Sequence, residues 1–390
     1  MAVLTVRRSS SSGVRLRSIY YLLIPIQTTL SYPPLQSALI DTICRLQQAT
    51  SRCFMRYLVA RRLIRQLRSL GNLLCYLFMA ALVRPTATRT FSLNTVIITR
   101  WFAEREYPVY SLSLRGHGQS WYPSYRALYF TPKHVLADDV ATALRFIRKQ
   151  HPSAGPTTLV GHSSGGGLCQ HVIDSGKGEG VGKLVVLAGI PSFGGWRVYL
   201  NWFMLDPWFP IRVLWDLYHP RSPLSSTRLV HRAFFSPTYS IEKVRTFEAE
   251  MSPYESMSWP SGMMFPFISR KRLLTNLIAY NTHAPLLTIG GAQDKLVSVP
   301  IMRRLAYLYA DTSVRTHAGA TTAEKKLGCK DVSGLQDGLT SGVNRTSEEK
   351  KKERGKVWFA KIEEPGAGHN LMRDDGWERC VRVIEAFVNE

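Results

Sequence analysis

The sequence predicts an α/β fold: a doubly wound, mostly parallel sheet with a helical cap inserted between two of its strands. Three observations carry that prediction. From about residue 91, short apolar runs alternate with helical stretches, the pattern of strands covered by helices on both faces. One apolar run enters a glycine- and serine-rich turn, GHSSG, and leaves it as a helix. A long stretch, 191–282, holds five of the nine tryptophans in helical, aromatic-rich segments and is too large for a single crossover.

The strands are read in chain order as TVIIT (95–99), PVYSLSL (108–114), TTLVG (157–161), KLVVLAG (183–189), PLLTIGG (285–291) and KVWFAKI (356–362). Between them, residues 131–150 have a helical pattern, with Pro132 at the start, where its missing N–H costs nothing. The cap occupies about 191–282. Residues 316–355 are polar, rich in Gly, Ser, Thr and Lys, and end in SEEKKKERGK, so a flexible, solvated insert is expected there. A glycosylation sequon at Asn344 within it is a short pattern of low specificity. The α/β domain is taken as 91–390.

Residues 1–90 differ in kind. The formal net charge is +22, which by itself suits nucleic acid or an anionic membrane. Yet up to residue 103 there are fourteen arginines, no lysine and one acid, Asp41, so most of the excess belongs to the N-terminal quarter. These arginines form no recognisable nucleic-acid module, and nucleic acid is not an expected partner. The opening RRSSSSGVRLRS resembles a transit peptide in composition. CFMRYLVARRLIRQLRSL has the pattern of a basic amphipathic helix. It leads into fifteen uncharged residues, 69–83, which as a helix span about 22 Å, short of a bilayer core of roughly 30 Å. Targeting segment, membrane-surface anchor, packed helix and extraneous extension all remain open readings. The six cysteines form no CxxC pair, so neither a disulfide framework nor a zinc site is expected and intracellular thiols fit best.

The chemistry centres on Ser163. GHSSG matches G-x-S-x-G with Ser163 in the middle; Ser164 does not fit, because His162 stands two residues before it. A turn this tight from strand to helix needs small neighbours and aims the serine hydroxyl outward. The N–H of Ser164, at the helix start, can then donate to a developing oxyanion. A hydroxyl is a weak nucleophile, so it needs a base and the base needs an orienting acid. In a parallel sheet both should lie just beyond later strands. Asp294 follows PLLTIGG, and His369 follows KVWFAKI in EEPGAGHNLM. Of the other nine histidines, His117 precedes the serine in RGHGQS and the rest lie in or beside helices, the cap, the polar insert or the turn itself, where surface or structural roles suffice. Asp139 and Glu104 fall in helical patterns and read as solvated.

SLRGHGQS (113–120), GHSSGG, GGAQDKLV and PGAGHNLM, in this order, resemble the α/β-hydrolase family, in its serine-hydrolase branch with a helical lid. The resemblance covers about 91–390. It implies Ser163 as nucleophile, Asp294 as acid, His369 as base and a cap inserted after the strand that follows the nucleophile helix. A serine at the elbow is unlike the epoxide hydrolases and dehalogenases of the same fold. It implies acyl transfer to water by an esterase, lipase or amidase, acting on a small ester or acyl substrate with an apolar group, without cofactor or metal.

One departure stands out. The family carries a His-Gly turn and a longer loop after the strand that precedes SLRGHGQS, and that turn supplies the second oxyanion donor. Here only eight residues separate TVIIT from PVYSLSL, whereas a parallel crossover needs about a dozen or more. Either the first run is not a parallel strand or a segment is absent, as from an incomplete gene model. Losing one donor costs on the order of 10²–10³ in turnover, so weak activity is expected. An acyltransferase with the same triad and a non-catalytic ligand-binding protein on the same fold are the alternatives. Substrate identity and oligomeric state are not encoded in any motif.

Overall fold

The computed structural model describes residues 97–390, apart from 119, 282–283, 319–320, 338–355 and 364, together with the backbone of three strands nearer the N-terminus. Those strands are β1 (Ala2–Arg7), β2 (Ile19–Ile24) and β3 (Met79–Val83). The chain continues through α1 (Ile97–Glu104), β4 (Val109–Ser111), α2 (Tyr125–Tyr129), α3 (Lys133–Gln150), β5 (Thr157–His162), α4 (Ser164–Asp174) and β6 (Val181–Leu187). Between β6 and β7 (Leu286–Gly291) come only helices: α5 (Trp196–Leu205), α6 (Phe209–Trp215), α7 (Thr227–Phe234), α8 (Ile241–Ala249), α9 (Ser258–Ser261) and α10 (Arg270–Ile278). The last elements are α11 (Val299–Ala310), β8 (Ser313–Ala318), β9 (Thr321–Lys326), β10 (Cys329–Asp331), β11 (Val357–Ile362) and α12 (Trp377–Asn389).

A seven-stranded sheet in the order β10-β11-β7-β6-β5-β3-β4 forms the centre. The pairs from β10 through β5 are parallel, and β3 runs antiparallel to both β5 and β4. Every residue of β5, β6 and β7 is buried, as expected of strands covered on both faces. α3 turns Leu136, Val140, Leu144 and Ile147 inward at a helical spacing. Lys183, buried in β6, donates from Nζ to the carbonyls of Phe387 (2.6 Å) and Val388 (3.3 Å), capping the last turn of α12. That contact offsets the cost of placing an ammonium inside a strand.

The structure corrects several expectations. The described part of TVIIT, residues 97–99, is not a strand: from Ile97 the chain is helical, with Ile98, Thr99 and Phe102 buried and Arg100 paired to Glu104 one turn on at 2.7 Å. Apolar residues at 97, 98, 101 and 102 satisfy a helical period as well as a short strand, and the helix prevails because Trp101 packs edge-on against Trp377 of α12 at 5.8 Å. The short link before PVYSLSL is thus the end of a helix and not a truncated crossover. Residues 79–83, expected as part of an anchor or packed helix, instead pair as β3, so the sheet takes a strand from upstream of residue 91. The polar segment 316–355 is not wholly a solvated loop. β8 and β9 form a hairpin, and β10 pairs with β11, held by buried Leu327 and Val332 at its flanks. Asn344 lies outside the described residues. Asp139 is buried and takes a bidentate pair from Arg115, with Nε at 2.8 Å and Nη2 at 2.6 Å. Apart from β1, β2 and β3, residues 1–90, with their targeting and amphipathic readings, lie outside the described residues. Among the described residues, no helix is long and apolar enough to cross a membrane.

Candidate active site

Ser163 stands between β5 and α4 with φ 51° and ψ −125°, a left-handed backbone that an L-residue adopts at a cost of order 1–3 kcal/mol. Its surroundings over-determine it. The Ser163 N–H donates to the Leu187 carbonyl (3.0 Å), and its carbonyl accepts from Gly166 (3.0 Å) and Ile190 (2.9 Å). The turn is tight enough that a Cβ on Gly161 would meet Cys169 Sγ and the Gly165 carbonyl oxygen, each at 2.6 Å. Cys169 is no rival nucleophile, since complete burial raises its thiol far above the ordinary range. Ser164 opens α4, so its N–H has no partner within the helix.

The structure brings Asp294 and His369 to this turn. Ser163 Oγ lies 2.9 Å from His369 Nε2, and His369 Nδ1 lies 2.8 Å from Asp294 Oδ2. A carboxylate only accepts, so Nδ1 carries the proton and Nε2 is left to accept from the serine hydroxyl. The other carboxylate oxygen, Oδ1, accepts from the N–H groups of Leu296 (2.8 Å) and Val297 (2.9 Å). Asp294 and His369 are both buried, so neither can turn to water.

Each of the three residues follows the carboxyl end of a strand: Ser163 after β5, Asp294 after β7 and His369 after β11. The Asp294 and His369 loops are joined through their backbones. Ala292 donates to the Ile362 carbonyl (2.8 Å) and Gln293 to that of Ala367 (3.0 Å). The approach requires glycine at 291, where a Cβ would fall 2.2 Å from the Ala367 oxygen.

Sequence reasoning missed the residues that hold His369. Asp374, with 0% exposure, accepts from Gly368 N (2.9 Å), Ser236 N (2.7 Å), Ser236 Oγ (2.8 Å) and Asp375 N (2.9 Å). It pins the histidine loop to the segment after α7. Phe234 stacks on the His369 ring at 5.6 Å, and Asn370 N–H donates to its carbonyl at 2.8 Å. His162, read as part of the turn, donates from Nε2 to the His369 carbonyl at 2.9 Å. The sequence signal for Asp374 is one acid in RDDGW, indistinguishable there from its exposed neighbour Asp375. His117 ties SLRGHGQS to the stretch between α8 and α9: its Nε2 meets Glu255 at 2.5 Å and its Nδ1 the Arg115 carbonyl at 2.8 Å. A cleft of about 600 Å³ lined by Arg148, His151 and Tyr280 opens at the amino end of β5, a strand's length from Ser163.

A sequence model of the alpha/beta hydrolase family matches residues 96–383, spanning all three residues. The chain belongs to the alpha/beta hydrolase family. The hydrolase is similar in structure to an esterase from Thermogutta terrifontis, at 15% identity over 79% of this chain and 97% of that one, with a TM-score of 0.45. It is also similar to an esterase from Exiguobacterium antarcticum, at 13% identity over 75% and 85%, with a TM-score of 0.43. No curated protein matches it in sequence. The sheet of the hydrolase is unusual beside its elbow. β3 pairs with β5 head to tail, Met79 with Gly161 and Val83 with Thr157. The chain therefore leaves β3 at the far end of β5, about 20 Å from Ser163 at ~3.3 Å per residue. The loop after β3, residues 84–96, reads RPTATRTFSLNTV, holds no His-Gly pair and lies outside the described residues.

Proposed function

We propose that this hydrolase is a serine hydrolase that cleaves an ester or related acyl bond of a small, apolar substrate. The reading rests on one observation: His369 bridges Ser163 and Asp294 at 2.9 and 2.8 Å. Ser163 Oγ attacks the carbonyl carbon as His369 Nε2 takes its proton. The imidazolium is stabilised by Asp294, and the Ser164 N–H receives the developing oxyanion. His369 then returns the proton to the leaving oxygen or nitrogen, and the acyl-enzyme is opened by water activated by the same base. Phe234 forms an apolar wall against the imidazole, which suits an apolar acyl or alcohol group. These steps require neither cofactor nor metal.

With Ser164 as the one donor assigned, turnover should be low, by about 10²–10³ relative to a two-donor site. The direct test is labelling by a fluorophosphonate probe, followed by turnover of short p-nitrophenyl esters. The wild-type chain should label, and Ser163→Ala should abolish both labelling and turnover while Ser164→Ala keeps its backbone N–H and both activities. A wild-type chain that never labels would favour a ligand-binding protein on this fold. Product analysis with an added alcohol separates hydrolysis from acyl transfer.

A further inference from the structure

The outer face of α5 and α6 is apolar where a soluble surface is ordinarily charged. On α5, Trp196, Leu200, Phe203 and Met204 stand exposed at i, i+4, i+7 and i+8, a single stripe along the helix. Exposed Trp208, just before α6, and Leu214 and Trp215 on it continue the apolar face, the last 86% exposed, and Leu217 beyond it is 85% exposed. These side chains protrude into solvent. Leu217 and Tyr218 reach this position with φ of 51° and 60°, so the turn holds them outward against their backbone preference.

We infer that this face docks on an anionic lipid surface. The charge around it fits that partner. From 196 to 232 there are five arginines, no lysine and two acids. One acid, Asp206, is buried and paired with Arg212, which leaves Asp216 against Arg197, Arg221, Arg228 and Arg232. Tryptophan and tyrosine set among arginines is the composition that settles at a headgroup boundary, with rings at the acyl edge and guanidinium groups among phosphates. The whole chain, at +22, is drawn the same way. The face also connects with the site. Trp202, on α5, packs on Phe209 (6.0 Å) and Phe234 (6.3 Å), and Phe234 stacks on His369. Taken with the serine-hydrolase reading, on which this last step alone rests, the substrate is an acyl ester drawn from that surface.

Sedimentation of the full chain with vesicles tests the docking. Binding to phosphatidylcholine–phosphatidylserine vesicles, and weaker binding to phosphatidylcholine alone, are expected. The exposed pair Trp215→Ser with Leu217→Ser should weaken binding by about tenfold or more, with melting temperature and probe labelling unchanged. Arg197→Glu with Arg228→Glu should remove the preference for the anionic vesicle. Equal binding by the serine pair and the wild type would overturn the inference, placing attachment elsewhere, as on the arginine-rich N-terminal segment. So would a wild type that ignores both vesicles, or a dimer that the serine pair converts to monomer, which would make a second copy the occupant. A chain that binds vesicles through this face but never labels retains the docking and loses only the hydrolase reading.

Discussion

Replacing Asp294 by asparagine is expected to lower kcat by about 10⁴ while the protein still folds. The reason lies in which oxygen faces which donor. Oδ1 receives two backbone N–H groups, from Leu296 and Val297, and only an oxygen can receive them. The asparagine oxygen must stay there, so its amide nitrogen takes the place of Oδ2 and presents an N–H to His369 Nδ1. Nδ1 becomes an acceptor and the ring proton moves to Nε2, facing Ser163. The base then holds a proton where it needs a lone pair. The measurement is the rate of ester turnover, or of probe labelling, at matched folded fraction. A loss under tenfold would show that His369 is oriented by something else.

Asp374→Ala should produce the largest loss of stability among single changes near the site. The carboxylate is fully enclosed and accepts four hydrogen bonds. Removing it strands the N–H groups of Ser236 and Gly368, both buried, and each such orphan costs about 1–3 kcal/mol. A loss of roughly 3–5 kcal/mol is expected, visible as a melting temperature lower by on the order of 10 °C. Asp374→Asn keeps one oxygen for Ser236 N and Gly368 N, which share Oδ2, and should fall between. Turnover should fall too, because Gly368 directly precedes the base. An alanine variant that melts with the wild type would refute the role.

What was legible in the sequence was local or ordered along the chain. The elbow is five consecutive residues with steric reasons for each. Asp294 and His369 could be found because each follows an apolar strand, and strand ends are where a parallel sheet presents its chemistry. Asp374 and Phe234 were not legible, because their partners come from segments 138 and 135 residues away respectively, joined by no periodicity. TVIIT misled for a different reason: its short apolar run satisfies both periods, and the decision fell to Trp377, almost three hundred residues on. Asp139 looked solvated because its partner, Arg115, belongs to a loop whose path the helix pattern does not reveal.

The reversed strand β3 also bears on where this protein can be cut. Among the described residues it is the partner of β5 on that side and separates β5 from β4. A fragment beginning at residue 91, the boundary suggested by composition, would lack it. β5 would then end the sheet, with a row of unmatched amide and carbonyl groups leading directly to Ser163. Such an edge recruits strands from other molecules. The shortened protein should therefore precipitate or self-associate at concentrations where one retaining residues 79–83 remains dispersed, a difference that light scattering would read. Residues 79–83 belong with the sheet they pair in, upstream of the point where the sequence changes character.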